Sequence, residues 1–207
     1  MIRAAVLVSG GGTNLQALLD AKAAGKLLEV EFVCVVGNRR KAYGLERARM
    51  AGIEAIYLPT VRFETNEAYN IALRDLLREK KIDLIVLAGF LVVLGQTMVD
   101  AFPNRIINIH PSLIPSFCGD GFYGLKVHEE ALRRGVKVTG ATVHFVDGGT
   151  DTGPIILQKA VEILPEDTAE SLQLRVMQQA EWKLLPEAVR LFSEGKLIVE
   201  DGRVREI

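Results

Sequence analysis

An asparagine and a histidine stand two residues apart in Asn108-Ile109-His110, at the end of a strand-like run over residues 105–109. In a strand both side chains turn to one face, because successive residues alternate sides. An amide can hydrogen-bond a developing oxyanion, and an imidazole can move a proton near neutral pH. Together they supply much of what acyl transfer to an amine needs. Taken alone, Asn108 would simply end a strand and His110 would open a turn before Pro111. The rest of the chain decides between these readings. A carboxylate on a loop can hold an imidazole and favour its charged form. The loop Asp147-Gly148-Gly149-Thr150-Asp151 offers two, and spacing does not choose between Asp147 and Asp151.

A second candidate lies near the start. An apolar run over residues 2–8 leads into Ser9-Gly10-Gly11-Gly12-Thr13-Asn14, and a helical pattern follows. Glycines let the backbone turn tightly and approach a ligand. Free amides and the helix dipole at such an N-terminus favour a phosphate. The loop has neither the third glycine of a dinucleotide fingerprint nor a P-loop lysine, so it suggests a monophosphate.

The remaining polar residues read more plainly. His144, within Val143-His144-Phe145-Val146, reads as a structural histidine, and His128 as a surface residue of a helix over 126–134. Cys34 falls in an apolar strand and reads as inert core. Cys118 falls in a loop and is given no role. Two cysteines suit a reducing cytoplasm, and no ligand spacing among them and the three histidines implies a metal.

Apolar runs and helical patterns must position these groups. Strands are expected at 2–8, 30–36, 54–58, 82–88 and 105–109, with helices at 13–24, 43–51 and 66–80. This alternation predicts an α/β fold, a mostly parallel twisted sheet with helices on both faces and a Rossmann-like N-terminal half. Longer strands at 138–146 and 154–163 read as antiparallel neighbours. One long helix is expected over 168–194, kinked at Pro186, and two short strands flank Asp201-Gly202. No repeat or linker interrupts the 207 residues, so one domain is expected. A composition 49% hydrophobic and 25% charged, with a formal net charge of −1, argues against a broad nucleic-acid or membrane surface. Residues 2–8 are too short to span a membrane and carry no signal-peptide pattern.

These motifs resemble the folate-dependent formyltransferase family. The resemblance rests on Val8-Ser9-Gly10-Gly11-Gly12-Thr13-Asn14-Leu15-Gln16, Gly44-Leu45-Glu46-Arg47-Ala48 and Leu87-Ala88-Gly89-Phe90. It continues through Asn108-Ile109-His110-Pro111-Ser112-Leu113-Ile114-Pro115 and Val143-His144-Phe145-Val146 to Asp151-Thr152-Gly153-Pro154, in order along the chain. The resemblance implies catalytic roles for Asn108, His110 and Asp151. Asp151 matches rather than Asp147 because the family's aspartate comes seven residues after the histidine corresponding to His144. Gly12, Thr13, Asn14 and Glu181 correspond to the acceptor-binding positions. Asn66, Leu91, Val92, Val93, Leu94, Asn108 and the segment Asp147, Gly148, Gly149, Thr150, Asp151 correspond to the folate-binding ones.

Asn66 and Val92 stand where some relatives carry Arg, and residues 117–125 replace a shorter Pro-Gly loop. Glu181 lies one residue further from Arg175 than in some relatives. The implied co-substrate is 10-formyltetrahydrofolate and the implied acceptor 5-phosphoribosylglycinamide, with no metal. The resemblance further implies a cytoplasmic monomer or homodimer in which 1–207 form one domain. About 1–100 would bind phosphate, and about 101–207 would carry the folate-binding and catalytic loops. A formyl-folate enzyme acting on tRNA would bring a further C-terminal domain and a basic surface, and a formyl-folate hydrolase an N-terminal regulatory domain. A non-catalytic nucleotide-binding module would need the glycine loop but not Asn108, His110 and Asp151 together.

Overall fold

The computed structural model describes all 207 residues, Met1–Ile207. Its centre is a seven-stranded sheet in the order β3-β2-β1-β4-β5-β6-β7. The strands are β1 (Ile2–Val8), β2 (Val30–Gly37), β3 (Glu54–Tyr57), β4 (Leu84–Leu87), β5 (Ile106–His110), β6 (Val138–Phe145) and β7 (Ile155–Glu162). The first five are parallel, and β6 and β7 each pair antiparallel to the strand before. The expected α/β architecture is therefore present, including the change to antiparallel pairing in the C-terminal part.

Side-chain alternation divides the core. Ala4, Val6 and Val8 of β1 join one cluster with Leu84 and Val86 of β4. Ala5 and Leu7 join the other, with Ile85 and Leu87. Helix α1 (Thr13–Ala23) covers the first face through Leu15 and Leu18, beside α2 (Tyr43–Met50) through Leu45 and Ala48. Helix α3 (Asn66–Glu79) covers the second through Tyr69, Leu73 and Leu77. It is joined there by the short α4 (Gln96–Ala101) through Met98. Each fully buried Leu or Ile contributes roughly 1.5–3 kcal/mol, so this two-faced burial fixes the strand registers. No helix is long and apolar enough to cross a membrane.

Three elements depart from expectation. Helix α4 falls in a stretch where no helix is expected; its six residues bury only Met98, too little for a periodic signal. Helix α5 (Leu125–Arg134) buries His128 completely, beside Val127 and Ala131. His128 lies three residues before Ala131, on the apolar stripe, so the surface reading was wrong.

The helix expected over 168–194 is three pieces. These are α6 (Ala169–Val176), a π-helical segment Met177–Glu181, and α7 (Trp182–Ser193). The interruption lies upstream of Pro186, which sits within α7. A π segment widens the turn by a residue and occurs often at functional sites. The chain closes with the hairpin β8 (Leu197–Glu200) and β9 (Arg203–Glu206).

Candidate active site

Strand order reverses at β1, where β2 lies on one side and β4 on the other. Loops leaving the carboxyl ends of such strands diverge and leave a crevice, the usual ligand site of open α/β sheets. Ser9 ties the loops together: its hydroxyl donates to Asn38 Oδ1 at 2.7 Å and accepts from the Leu91 N–H at 2.9 Å. A cavity of about 570 Å³ opens there. A larger groove of about 1060 Å³ lies between α1 and α7, but scattered helix-surface charges such as Asp20, Lys183 and Glu187 line it.

The glycine loop forms one wall of the cavity. Gly12 has φ 71° and ψ 33°, a left-handed conformation, and no side chain caps α1. A Cβ on Gly12 would meet Gly44 Cα at 2.6 Å, so the close approach of α2 also requires glycine. The first amides of α1 are left free for an anion. Asn14 turns inward and donates from Nδ2 to Glu181 Oε2 at 2.6 Å. The π segment brings Glu181 there and buries it, and burial pushes its carboxyl up to about 7 against the opposing Asn14 bond.

The opposite end holds the Asn–His pair. Ile107 and Ile109 pack into the first core, so Asn108 and His110 project together from the other face. In the β5–β6 register, Asn108 faces His144 and His110 faces Thr142. Asn108 Nδ2 lies 3.1 Å from His144 Nε2 and donates to Asp151 Oδ1 at 3.4 Å. His144 Nδ1 donates to its neighbour's carbonyl, Phe145 O, at 2.8 Å. That leaves Nε2 to accept from Asn108 when the ring is neutral.

His110 Nε2 donates to Phe117 O at 2.9 Å, and its Nδ1 lies 3.4 Å from Asp151 Oδ2. Only the charged ring can serve both acceptors at once. Burial nevertheless dominates and lowers the His110 pKa, while Asp151 and the Phe117 carbonyl raise it and His144 lowers it. The expectation that Asp151 favours the charged form describes one contribution, which burial outweighs. Burial also raises the Asp151 carboxyl, but His144, His110 and the Gly119 N–H (3.0 Å) together bring it below the ordinary value.

The geometry separates the two aspartates. Asp151 touches Asn108, His110 and Gly119, whereas Asp147 accepts from the Gly149 N–H at 3.1 Å and the Thr152 hydroxyl at 2.6 Å. Asp147 therefore organises its own loop.

Gly12, Thr13, Asn14, Glu181, Leu91, Val92, Val93, Leu94, Gly149 and Thr150 line the same cavity as the cluster. Asn66, Asp147 and Gly148 are outside that lining. Asn66 instead donates from Nδ2 to Val93 O at 3.0 Å, holding the 91–94 segment through its backbone. Sequence reasoning missed Arg39, the one Arg or Lys lining the cavity. Its position after the strand beside the glycine loop was the available signal. It also read His144 as structural, whereas His144 is the register partner of Asn108.

Fold and site define a doubly wound α/β protein whose ligand cleft carries an Asn–His–Asp cluster. The model of the formyl transferase family matches residues 2–189, and the chain belongs to that family. It is similar to phosphoribosylglycinamide formyltransferase of Haemophilus influenzae, 38% identical over 202 residues, which cover 98% of this chain and 92% of the relative. The trifunctional purine biosynthetic protein adenosine-3 of Drosophila melanogaster is 41% identical over 198 residues. They cover 95% of this chain but only 14% of that protein. The crystal structure of glycinamide ribonucleotide transformylase 1 from Symbiobacterium toebii superposes with a TM-score of 0.94 at 47% identity, covering 100% of this chain and 94% of the other.

Proposed function

We propose that this chain transfers the formyl group of 10-formyltetrahydrofolate to the amine of 5-phosphoribosylglycinamide. The products are formylglycinamide ribonucleotide and tetrahydrofolate, a step of de novo purine synthesis leading to IMP. One observation carries the reading: a single cavity joins an uncapped helix N-terminus, suited to a phosphate, to the Asn108–His110–Asp151 cluster.

In this reading the backbone amides of Gly12, Thr13 and Asn14 take the ribose phosphate, and Glu181 reaches the sugar side of the acceptor. The folate lies against Leu91, Val92, Val93 and Leu94 and the loop Gly149–Asp151, with Asn66 and Asp147 holding those segments. The acceptor amine attacks the formyl carbon, forming the new C–N bond and moving an electron pair onto oxygen. Asn108 donates to that oxyanion, giving up its long contact with Asp151. Collapse breaks the bond to the folate nitrogen.

The amine loses one proton and the folate nitrogen gains one, so a relay closes the balance. His110 Nε2 is held by Phe117, which leaves Nδ1, beside Asp151, as the nitrogen that exchanges protons; Asp151 also orders the relay water. Oxyanion donors and proton-transfer groups are each worth about 10²–10⁴-fold in rate. The chain acts as one domain over 1–207, with the phosphate loop in about 1–100 and the reacting loops in about 101–207. We also propose a cytoplasmic enzyme working as a monomer or homodimer.

Mass spectrometry tests the reaction, with both substrates supplied. Formylated acceptor and tetrahydrofolate should appear in equal amounts. Formate released without acceptor would assign a hydrolase instead and overturn the reading.

A further inference from the structure

His110, Thr142 and Gln158 sit opposite one another across β5, β6 and β7. Directly paired residues share a face, so these three side chains form a row beside the Asn108–His144 pair. Thr142 is fully buried, and its hydroxyl uses its whole hydrogen-bonding capacity. It donates to Ser112 O at 2.7 Å and accepts from the Ile114 N–H at 3.1 Å and Gln158 Nε2 at 3.0 Å. Gln158 Nε2 also reaches Ile114 O at 3.0 Å. Neither Thr142 nor Gln158 takes part in the proposed reaction.

What they hold is the turn that returns to His110. The Ser112 hydroxyl, also fully buried, donates to Ser116 O at 2.6 Å, and the Ser116 N–H donates to Leu113 O at 2.9 Å. The turn ends at Phe117 with φ 51°, in the left-handed region that a bulky side chain rarely enters. Such a residue persists only where its surroundings over-determine it. Here the result is a carbonyl aimed at His110 Nε2.

We propose that Thr142 is a positioning residue for His110: its hydroxyl pins the 112–117 turn, so that the Phe117 carbonyl fixes the tautomer and rotation of the imidazole. This rests on the proposed formyl transfer for its kinetic consequence, but the state of the imidazole can be read without turnover. The titratable groups facing His110 are Asp151 from the loop after β6, His144 from β6 and His128 from α5. Cys118, next to Phe117, faces Asp151. Thr142 carries no charge, so replacing it changes none of these groups directly.

The test compares Thr142→Val, which keeps the shape and removes the hydroxyl, with Thr142→Ser, which keeps the hydroxyl. Histidine titration by NMR, with His110→Asn assigning the His110 signal, is run beside steady-state kinetics. In Thr142→Val the His110 midpoint should move to lower pH, because a bond that favours the charged ring is loosened. The kcat should fall about tenfold or more, with both KM values within about threefold, as expected for a misplaced reacting group. Thr142→Ser should restore both. A folded Thr142→Val with an unchanged His110 titration overturns the proposal, whatever happens to its melting temperature. If the wild-type protein transfers no formyl group, the functional reading fails while the titration still decides this one.

Discussion

The two ends of the cavity are built from different material. At the glycine-loop end the proposed ligand contacts are backbone amides, presented by a strand, a left-handed glycine and a helix start. At the reacting end they are side chains, each held by a group from another segment: His110 by Phe117 O, Asp151 by the Gly119 N–H, Asn108 by His144. A backbone site is fixed when the fold forms and is sensitive mainly to an added Cβ. A side-chain site depends on loops, and here Phe117, at φ 51°, and Asp151, at φ 58°, both occupy left-handed backbone. Substitutions at the first end should change binding, and those at the second should change turnover.

The largest expected effect that sharpens this contrast is at Asp151. Asp151→Asn removes the anionic member of the proposed relay and should lower turnover by about 10²–10³-fold. It should also lower the His110 pKa, since Asp151 is the leading influence that raises it. The corresponding limb of the pH–rate profile then moves to lower pH, as NMR titration and kinetics can check. Asp147→Asn should do much less, and the reverse ranking would break the assignment.

Glu181 is the exception at the backbone end, a buried carboxyl with a pKa of about 7. A raised folded-state pKa gives stability that is present below the unfolded value, about 4.3–4.5, and lost as pH rises through about 7. Glu181→Gln should therefore gain roughly 2–3 kcal/mol over the wild type between pH 4.5 and 8. Urea unfolding at the two pH values measures it, and parallel curves would show that burial of Glu181 is not what they report.

Gly12→Ala forces a Cβ against Gly44 Cα in a left-handed backbone. It should weaken acceptor binding about tenfold while the bound complex turns over at close to the normal rate, a loss of uniform binding. Calorimetry with the acceptor, beside kcat, separates the two. A fall in kcat with unchanged binding would erase the division between the ends.

The sequence made some of this site legible and left the rest hidden, for physical reasons. Asn108 and His110 share a face because strand periodicity is two, and in β5 they alternate with the buried Ile107 and Ile109. The glycine loop was legible because a strand, a glycine run and a helix start follow one another. Without the family's spacing, Asp147 and Asp151 read alike, since a loop has no period; the contacts with Thr152 and His110 that separate them are seen only in the folded arrangement. Glu181 depends on a π segment that helical periodicity does not reveal. The burial of His128 turns on which side of a ten-residue helix faces inward, where Val127 and Ala131 make too short a stripe to draw the histidine into it.

In the proposed reaction the reacting end acts on the transition state and the glycine-loop end on binding. Asn108→Ala tests it most directly, with acceptor affinity measured by calorimetry and turnover by formyl transfer on the same preparation. Turnover should fall by about 10²–10³-fold, the usual cost of a lost oxyanion donor, with acceptor affinity within about threefold of wild type. Near-normal turnover in a folded Asn108→Ala protein, or a loss confined to affinity, would contradict it.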